Sequence, residues 1–382
     1  MISSSVNALG IIFPNSYDSM VTQLVTKRVM ASIPFASRYR MIDFLLSSMV
    51  NSGIGNVSVL VRKNYHSLMD HLGNGREWDL SRKNGGLNIV PPFAEKTVKV
   101  YNGRVEALTS ILHFLKAQKE EYVVMADSNI AVNFDFEKMI QEHIESKADL
   151  SIAYIERDLP SVWPAETSVE ANSCYYTLRI GEDNRVTEMH INPRDIGMQN
   201  ISLNIYVMSR EKLIQQIEDA AVRGVIFFER DVIMPNLNKL NVHGFKFEGY
   251  VSLINSLKAY FDENMALLKP ENAQALFAGN PFYTKIRDDN PTRYTNDSNV
   301  HNVMAADGCV IEGTVENCVL FRGVHIAKGA VVKNCILMQD TYVGENAKIQ
   351  YMITDKNVTI TQNQEMNGTS SFPVYIEKRQ TV

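Results

Sequence analysis

Short apolar runs alternate with segments of helical period along the first two thirds of the chain. Residues 56–61 (NVSVLV) and 121–126 (EYVVMA) are nearly continuous apolar runs, which is typical of buried strands. Residues 39–52 and 136–147 instead carry apolar side chains at the spacing of an amphipathic helix. Because strands that alternate with helices form a mostly parallel sheet with helices on both faces, this pattern predicts an α/β fold.

The alternation continues through four more predicted strands and ends in a long amphipathic helix. That helix is predicted for residues 252–268, since Pro270 cannot continue it. The α/β domain is therefore expected to span residues 1–270. The four strands are predicted at residues 150–155, 175–180, 202–208 and 246–251.

A different pattern begins beyond residue 270. Residues 271–297 are rich in Asn, Asp, Pro and Thr and have weak periodicity, which predicts a linker. Between residues 310 and 349, aliphatic side chains such as Val315, Ile326 and Val332 recur about every five or six residues. This spacing is typical of the hexapeptide repeats of a left-handed parallel β-helix. The sequence therefore predicts a short β-helix domain at residues 298–382.

Composition and charge exclude several classes of protein. Of the 382 residues, 45% are hydrophobic and 21% are charged, as in an ordinary folded protein. The net charge of −5 leaves no excess of positive charge for binding a nucleic acid backbone. No apolar stretch approaches the length of a membrane-spanning helix, and no secretion signal is evident. We therefore expect a cytoplasmic protein without nucleic acid or membrane partners.

The cysteines predict a reduced protein. The chain has Cys174, Cys309, Cys318 and Cys335, which are too few for a disulfide framework and show no Cys-x-x-Cys spacing typical of zinc sites. Cys318 and Cys335 lie 17 residues apart, close to the length of one β-helix coil. This spacing predicts two stacked thiols in the core of the β-helix rather than a metal site.

Several sequence strings resemble those of one enzyme family and occur in the same order. Residues 33–44 (IPFASRYRMIDF) look like V-P-F-G-G-K-Y-R-I-I-D-F, and residues 51–60 (NSGIGNVSVL) look like N-S-G-I-D-T-V-G-V-L. These are strings of glucose-1-phosphate adenylyltransferase (ADP-glucose pyrophosphorylase). The resemblance implies a nucleotidyltransferase-like domain followed by a β-helix. Further matches are residues 73–80 (GNGREWDL), 85–92 (GGLNIVPP), 228–235 (FERDVIMP) and 247–250 (FEGY).

The first departure from the family falls on its triphosphate-binding loop. The family transfers a nucleotidyl group from ATP to glucose-1-phosphate, and a loop of the form G-G-x-G-x-R brings backbone amides to the phosphates. Residues 10–17 of this chain read GIIFPNSY in the same place. Bulky side chains keep the backbone away from a phosphate, and Pro14 removes one amide donor. The resemblance therefore implies the loss of this loop's function.

The second departure falls on the metal site. The family holds Mg²⁺ with two aspartates, because a hard cation prefers carboxylate oxygens. Asp127, in residues 125–129 (MADSN), keeps the first, whereas Leu253 stands where the second belongs. A leucine cannot ligate magnesium. We therefore expect no intrinsic cofactor and assign Mg²⁺ to a catalytic partner, with Asp127 left as a weak metal contact or a structural cap.

The sugar-phosphate site is also altered. The family string F-x-E-K-P becomes residues 189–193 (MHINP), so Ile191 and Asn192 replace a glutamate and a lysine. The loop Y-x-G-T-A-D-A becomes residues 101–107 (YNGRVEA), in which Arg104 is larger than the threonine that lines the pocket. The residual substrate contacts that the resemblance implies are Tyr101, Gly103 and Ser202.

Two arginines are candidates for effector binding. Arg38 and Arg40 match the K-Y-R positions of the family, which lie near an effector site between the two domains. An arginine fork can bind phosphate through two parallel hydrogen bonds. The resemblance therefore implies a sugar-phosphate or phosphate effector, and a role as ordinary interface or surface residues remains the alternative.

Taken together, the altered strings resemble those of the non-catalytic, GlgD-type subunit of this family in glycogen biosynthesis. That resemblance implies a regulatory or structural subunit that assembles with a catalytic GlgC-type paralogue in a tetramer-like hetero- or homo-oligomer. The alternative is an active glucose-1-phosphate adenylyltransferase with a divergent site. A hexapeptide acyltransferase is disfavoured, because His301 and His325 are the only histidines in the β-helix half and its coils are few.

Overall fold

The computed structural model describes residues 7–91, 101–159, 175–193 and 197–382. Within these ranges, a nine-stranded sheet forms the centre of the first part of the chain, with the strand order β10-β9-β11-β6-β1-β4-β5 and with β8 between β11 and β12. The strands of this part are β1 Ala8–Phe13, β2 Pro34–Phe35, β3 Tyr39–Arg40, β4 Asn56–Leu60, β5 Gly86–Val90, β6 Tyr122–Asp127, β7 Ile130–Val132, β8 Leu150–Leu159, β9 Tyr176–Ile180, β10 Val186–Ile191, β11 Gly197–Ser209, β12 Val242–Lys246 and β13 Val251–Leu253.

The centre of the sheet is parallel, as predicted. Strands β6, β1, β4 and β5 all run in one direction, and β11 is antiparallel to both β6 and β8. Two apolar clusters lie on opposite faces of the sheet, which confirms the predicted α/β fold. The helices are α1 Thr22–Val25, α2 Met41–Asn51, α3 His66–Leu72, α4 Arg104–Ser110, α5 Leu112–Ala117, α6 Phe136–Glu145, α7 Arg210–Val222, α8 Leu257–Ala266 and α9 Pro270–Phe277.

Two predicted elements near the end of this part are wrong in their bounds. The strand predicted at residues 246–251 is wrong, since Lys246 ends β12, Val251 begins β13, and residues 247–250 connect the two. The helix predicted for residues 252–268 begins only at Leu257, because the Ser256 hydroxyl accepts a hydrogen bond from the amide of Ala259 at 2.9 Å and caps it. The preceding residues pair with β7 instead.

The segment predicted as a linker, residues 271–297, contains regular structure. Helix α9 begins at Pro270, where a proline is compatible with the first turn of a helix. Strand β14, Arg293–Tyr294, is already paired with the β-helix. The division of the chain at residues 270 and 297 stays a prediction.

The last part of the chain is a parallel β-helix. Equivalent positions such as Thr314, Val331 and Lys348 are paired in register, so one coil takes 17 residues where these strands stack. The predicted hexapeptide architecture is confirmed. Its strands are β14 Arg293–Tyr294, β15 Asn299–Ala305, β16 Val310–Ile311, β17 Thr314–Leu320, β18 His325–Ile326, β19 Val331–Lys333, β20 Ile336–Leu337, β21 Tyr342–Val343, β22 Lys348–Gln350, β23 Met352–Thr354, β24 Thr359–Ile360, β25 Glu365–Asn367 and β26 Val374–Ile376.

The predicted stacking of thiols is confirmed. Cys318 and Cys335 are completely buried, and the amide of Cys335 donates to the Cys318 sulfur at 3.4 Å. Cys309 is also buried and free, whereas Cys174 lies outside the described residues. The thiols therefore act as small apolar side chains of the coil.

The α/β part and the β-helix share one apolar core. Phe44 of α2 and Phe261 of α8 belong to the same cluster as Phe321 and Ile353 of the β-helix. A shared core fixes the two parts against each other and leaves a cleft at the edge of their contact. In the described ranges, no helix is long and apolar enough to cross a membrane.

Candidate functional site

A pocket of about 70 Å³ lies where parallel strands end. Phe13 ends β1 and is paired in register with Asp127, which ends β6. The carboxyl edge of a parallel sheet is the usual place for a ligand in an α/β fold. The pocket has room for a few water molecules, but its volume lies well below the roughly 300 Å³ of a small-molecule site. Tyr101, Gly103 and Asp127, which the sequence predicts as site residues, all line it.

Arg104 fills the centre of this region. Its Nη2 donates to Asp127 Oδ1 at 2.7 Å, and its Nη1 donates to Glu229 Oε1. The guanidinium also lies over two rings, 4.7 Å from the centroid of Phe13 and 5.2 Å from that of Tyr206. Only 8% of the side chain is exposed. One arginine therefore joins residues from β1, β6, β11 and the turn that begins at Glu229.

The charges of this group depend on one another. Burial alone would lower the pKa of Arg104, but Asp127 and Glu229 hold that pKa well above its ordinary value. Burial raises the pKa of Glu229, and Arg104 opposes that rise. The pKa of Tyr206 is also raised by burial. The arginine thus stays charged without solvent, and its two carboxylates are the reason.

One oxygen of the Asp127 carboxylate is already engaged by two hydrogen-bond donors. Its Oδ1 accepts from Arg104 and also from the Ser16 hydroxyl at 2.7 Å. Leu253 lies in β13, is 8% exposed and belongs to an apolar cluster. Among the described residues, no three His, Cys, Asp or Glu side chains are grouped as metal ligands. Mg²⁺ therefore does not fit the residues that the family's two aspartates would occupy.

Ser202 is separated from the other predicted substrate residues. It lines a neighbouring cavity of about 10 Å³ together with Leu253. Its hydroxyl accepts from the amide of Asn204 at 3.1 Å and contacts Asn204 Oδ1 at 3.3 Å. The Asn204 side-chain amide donates in turn to the Tyr17 hydroxyl. Because the cavity has room for at most about one water molecule, Ser202 contributes to a buried polar network in this conformation.

The loop that replaces the family's glycine loop is closed by side chains. The Phe13 ring packs against Arg104. Asn15 Oδ1 accepts from the amide of Arg62 at 3.0 Å, and the carbonyl of Pro14 accepts from the amide of Ala31. The loop is held by the protein's own groups in the place where a phosphate would need free amides.

A second and larger cavity lies between the α/β part and the β-helix. We call it the interdomain cleft, and its volume of about 420 Å³ is that of a small-molecule site. Arg38 and Arg40 both line it, so the structure brings the two predicted effector residues together. The lining contains six cations and one carboxylate, which are Arg38, Arg40, Lys285, Arg287, Arg322, Lys356 and Asp70.

The cations of the cleft differ in how far they are compensated. Lys285 lies 3.3 Å from Asp70, and Arg38 lies 3.9 Å from Asp307 with half of its side chain exposed. In the described part of the chain, no carboxylate oxygen lies within 4.0 Å of the side-chain nitrogens of Arg40, Arg322 or Lys356. Cations without a salt bridge therefore lie on both sides of the cleft, with Arg40 on the α/β side and Arg322 and Lys356 on the β-helix side.

Arg322 is the most notable of these cations. It is 8% exposed, and among the described residues its Nε has no hydrogen-bond partner. Within the same part of the chain, its two Nη atoms reach only the carbonyl of Lys285, each at 3.4 Å. Buried cations are ordinarily paired, so an arginine in this state is prepared for an anion that enters the cleft.

Burial and mutual repulsion lower the pKa values on both sides of the cleft. Burial is the main cause that lowers the pKa of Arg40 to about 10. Burial, together with Arg40 and Arg28, lowers the pKa of Lys356 to about 7. An anion would relieve this repulsion, because it offers each cation an opposite charge.

Sequence reasoning missed Arg322 and Lys356, although a signal was present. Arg322, Gln339 and Lys356 are spaced by 17 residues, and each lies in a turn at the same corner of three successive coils. Polar side chains at one coil interval project from one corner of a β-helix. The repeat shows which residues share a corner, but only the packing of the folded chain shows that this corner faces the α/β part.

Two family models match the chain. The model described as Nucleotidyl transferase matches residues 21–163, which include Arg104 and Asp127. The model described as GlmU-like, C-terminal hexapeptide matches residues 286–369, which include Arg322 and Lys356. The two matches therefore agree with the two-part architecture.

Named relatives cover most of the chain. It is 34% identical over 372 residues to the glycogen biosynthesis protein GlgD of Bacillus subtilis (strain 168), over 97% of this chain and 95% of that protein. It is 35% identical to GlgD of Geobacillus stearothermophilus, over 85% of this chain and 82% of that protein. It is 31% identical to glucose-1-phosphate adenylyltransferase of Geobacillus stearothermophilus, over 85% and 82%. The chain therefore belongs to the family that comprises GlgD and glucose-1-phosphate adenylyltransferase.

Proposed function

We propose that this protein is a regulatory subunit of glucose-1-phosphate adenylyltransferase in glycogen biosynthesis. In this role it modulates a catalytic GlgC-type paralogue that makes ADP-glucose and pyrophosphate from ATP and glucose-1-phosphate. The observation that carries the proposal is the position of Arg104, which pairs with Asp127 and fills the pocket at the carboxyl edge of the sheet. A side chain in that position leaves no room for the triphosphate and no carboxylate for Mg²⁺.

The interdomain cleft supports the regulatory part of the proposal. Its six cations and its volume suit a small anion that carries phosphate, and Arg38 and Arg40 line it from the α/β side. A bound effector would contact both parts of the chain at once. It can change a partner's activity if it favours one arrangement of the assembly over another, and typical couplings of about 1 to 3 kcal/mol correspond to roughly 5- to 150-fold.

We propose a cytoplasmic, tetramer-like oligomer of this chain with itself or with the catalytic paralogue, in which Mg²⁺ acts at the catalytic partner. In a symmetric assembly, a ligand that binds one type of subunit can shift the state of the other through their contacts. The proposal needs no chemistry from the pocket that contains Arg104.

An activity assay separates the regulatory reading from the catalytic one. The purified chain alone, with ATP, glucose-1-phosphate and Mg²⁺, is expected to make little or no ADP-glucose. Co-expression with a GlgC-type partner is expected to change the partner's rate or its response to a phosphorylated sugar. Turnover by the chain alone of roughly 1 to 10³ per second, abolished by Asp127→Ala, would favour the alternative of a divergent but active enzyme.

A variant of the cleft tests the effector part separately. Arg38→Ala with Arg40→Ala in this chain only, mixed with the unmodified partner, should remove the effector response and leave assembly intact. The matched control is Arg179→Ala with Arg223→Ala, two exposed arginines outside the cleft. An unchanged effector curve in the cleft variant would show that the two arginines are only surface or interface residues.

A further inference from the structure

The altered positions of the pocket converge on one side chain. Phe13 belongs to the loop that lost its glycines, Asp127 is the surviving acid of the metal site, and Arg104 stands where the family has a threonine. Arg104 contacts the other two, with its guanidinium over the Phe13 ring and 2.7 Å from Asp127. The changes that the sequence shows as separate losses form one packed group.

The positive charge of this group is needed by the carboxylates. Asp127 and Glu229 have side-chain exposures of 2% and 8%, and both are bound to the same guanidinium. Without a cation, two buried acids side by side would be costly to ionise. A protein can supply that cation as a bound metal ion or as its own arginine, and this chain has the arginine.

We propose that Arg104 is an internal replacement for the metal ion, which neutralises Asp127 and Glu229 within the fold and closes the pocket to divalent cations. The planar guanidinium reaches both acids from helix α4. The Ser16 hydroxyl takes a further lone pair of Asp127. The inference goes beyond the proposed function, since it holds for this chain whether or not a partner is regulated.

This proposal differs from simple packing of Arg104 in what the carboxylates should do when the arginine is removed. If Arg104 only packs, Arg104→Met should cost little, because methionine is apolar and fills similar space. If Arg104 replaces a metal ion, the two acids are left with unneutralised charge. They should then destabilise the fold and accept a divalent cation from solution.

The test compares the melting temperature of three full-length proteins with and without Mn²⁺. The wild type should not respond to Mn²⁺. Arg104→Met should melt lower by about 5 °C or more, and millimolar Mn²⁺ should recover part of that loss. In the triple variant Arg104→Met, Asp127→Asn, Glu229→Gln, stability should return toward the wild type and the response to Mn²⁺ should disappear.

The opposite results are equally specific. The proposal is overturned if Mn²⁺ stabilises the wild type and Asp127→Asn abolishes the effect, or if Arg104→Met is as stable as the wild type. A Mn²⁺-insensitive Arg104→Met protein also overturns it. Should Arg104→Met fail to fold, the triple variant decides: recovery of soluble, folded protein supports the proposal, and continued failure to fold contradicts it.

Discussion

The pocket at the sheet edge and the interdomain cleft each contain a buried arginine, but the two arginines are compensated differently. Arg104 is bound to two carboxylates, whereas Arg322 is equally buried and reaches only a carbonyl oxygen. The pocket around Arg104 measures about 70 Å³ and the cleft about 420 Å³. An arginine that is paired with carboxylates occupies its own site. A buried arginine that lacks a carboxylate and borders open space is suited to an anionic ligand.

The difference shows that one chain can use buried arginines in two ways. The pocket at the sheet edge contains a packed ion group, while the cleft has six cations and the volume for a ligand. Arg28 provides a third case, at the contact of the α/β part and the β-helix. It is bound to Asp355 at 2.5 and 2.8 Å, and the Tyr375 hydroxyl donates to the same carboxylate at 2.7 Å.

The largest effect should come from removing the compensation of Arg28. Asp355→Asn leaves a buried arginine without its counter-charge at the contact of the α/β part and the β-helix. Breaking a buried pair from one side costs about 3 to 5 kcal/mol. The free energy of unfolding, measured in denaturant, should fall by that amount.

The matched control is Asp262→Asn, which removes an exposed carboxylate from a helix-surface pair with Lys258. It should change the free energy of unfolding by less than about 0.5 kcal/mol. If Asp355→Asn is as stable as the control, a buried arginine does not need its carboxylate, and the distinction between compensated and uncompensated arginines fails.

The second-largest effect should come from replacing an arginine by methionine in the cleft, for comparison with the same replacement in the pocket at the sheet edge. Arg322→Met removes a buried cation that has no carboxylate partner, so the melting temperature should hold or rise, opposite to the result expected for Arg104→Met. Sulfate binding to the cleft, measured by calorimetry, should weaken by roughly 30-fold, since a buried ion pair with the ligand is lost.

Arg322, Gln339 and Lys356 form a row at one corner of successive coils, which we call the corner row. Gln339→Met is the control for this experiment, because Gln339 is the neutral member of the corner row and also lines the cleft. Its sulfate affinity should stay within about twofold of the wild type. Equal losses in the two variants would mean that the cleft responds to any change of shape and not to the charge of Arg322.

The smallest effect is a pH dependence at Lys356. Its pKa is about 7 in the folded protein against an ordinary value of 10.5. Between these values the unfolded chain carries a proton that the folded chain lacks, so stability should rise with pH across this interval. A bound anion favours the charged lysine and raises its pKa, so sulfate affinity should fall by roughly tenfold from pH 6.5 to 8.5. The charged groups that act on this lysine are Arg40, Arg28, Asp355 and Lys378.

Two variants of Lys356 test this assignment. Lys356→Met should bind sulfate weakly at both pH values, and Lys356→Arg should bind it well at both, because arginine stays charged throughout. Sulfate suits the measurement because it does not titrate in this range. A pH response that survives in both variants would assign it to another group.

The sequence predicted the losses in the pocket better than the contacts that replaced them. Leu253 and the bulky loop at residues 10–17 are visible as single departures from family strings. The partners of Arg104 lie 23 and 125 positions away, on elements that meet only in the folded sheet. No local period or spacing relates such positions, so Arg104 could be recognised as oversized but not as an ion-pair centre.

The fold followed from the sequence where periodicity was strong. The parallel centre of the sheet and the 17-residue coils depend on regular apolar positions. The helix that begins at Leu257 was predicted too long, because a hydroxyl cap at Ser256 and pairing with β7 outweighed the apolar period. Of the residues that line the cleft, Arg38 and Arg40 could be named in advance because they belong to a family string. Arg322 and Lys356 were missed because they belong to a repeat whose exposed corner was not known.

The corner row of the β-helix fixes the distances between the charges on one side of the cleft. Successive coils stack at about 4.8 Å, so the backbones of Arg322 and Lys356, two coils apart, are separated by about 10 Å along the axis. The aliphatic rows inside the coils do not depend on which side chains stand at this corner. Exchanges of corner residues alone can therefore alter the spacing and number of charges in the cleft, and with them the anions that fit it, without rebuilding the core.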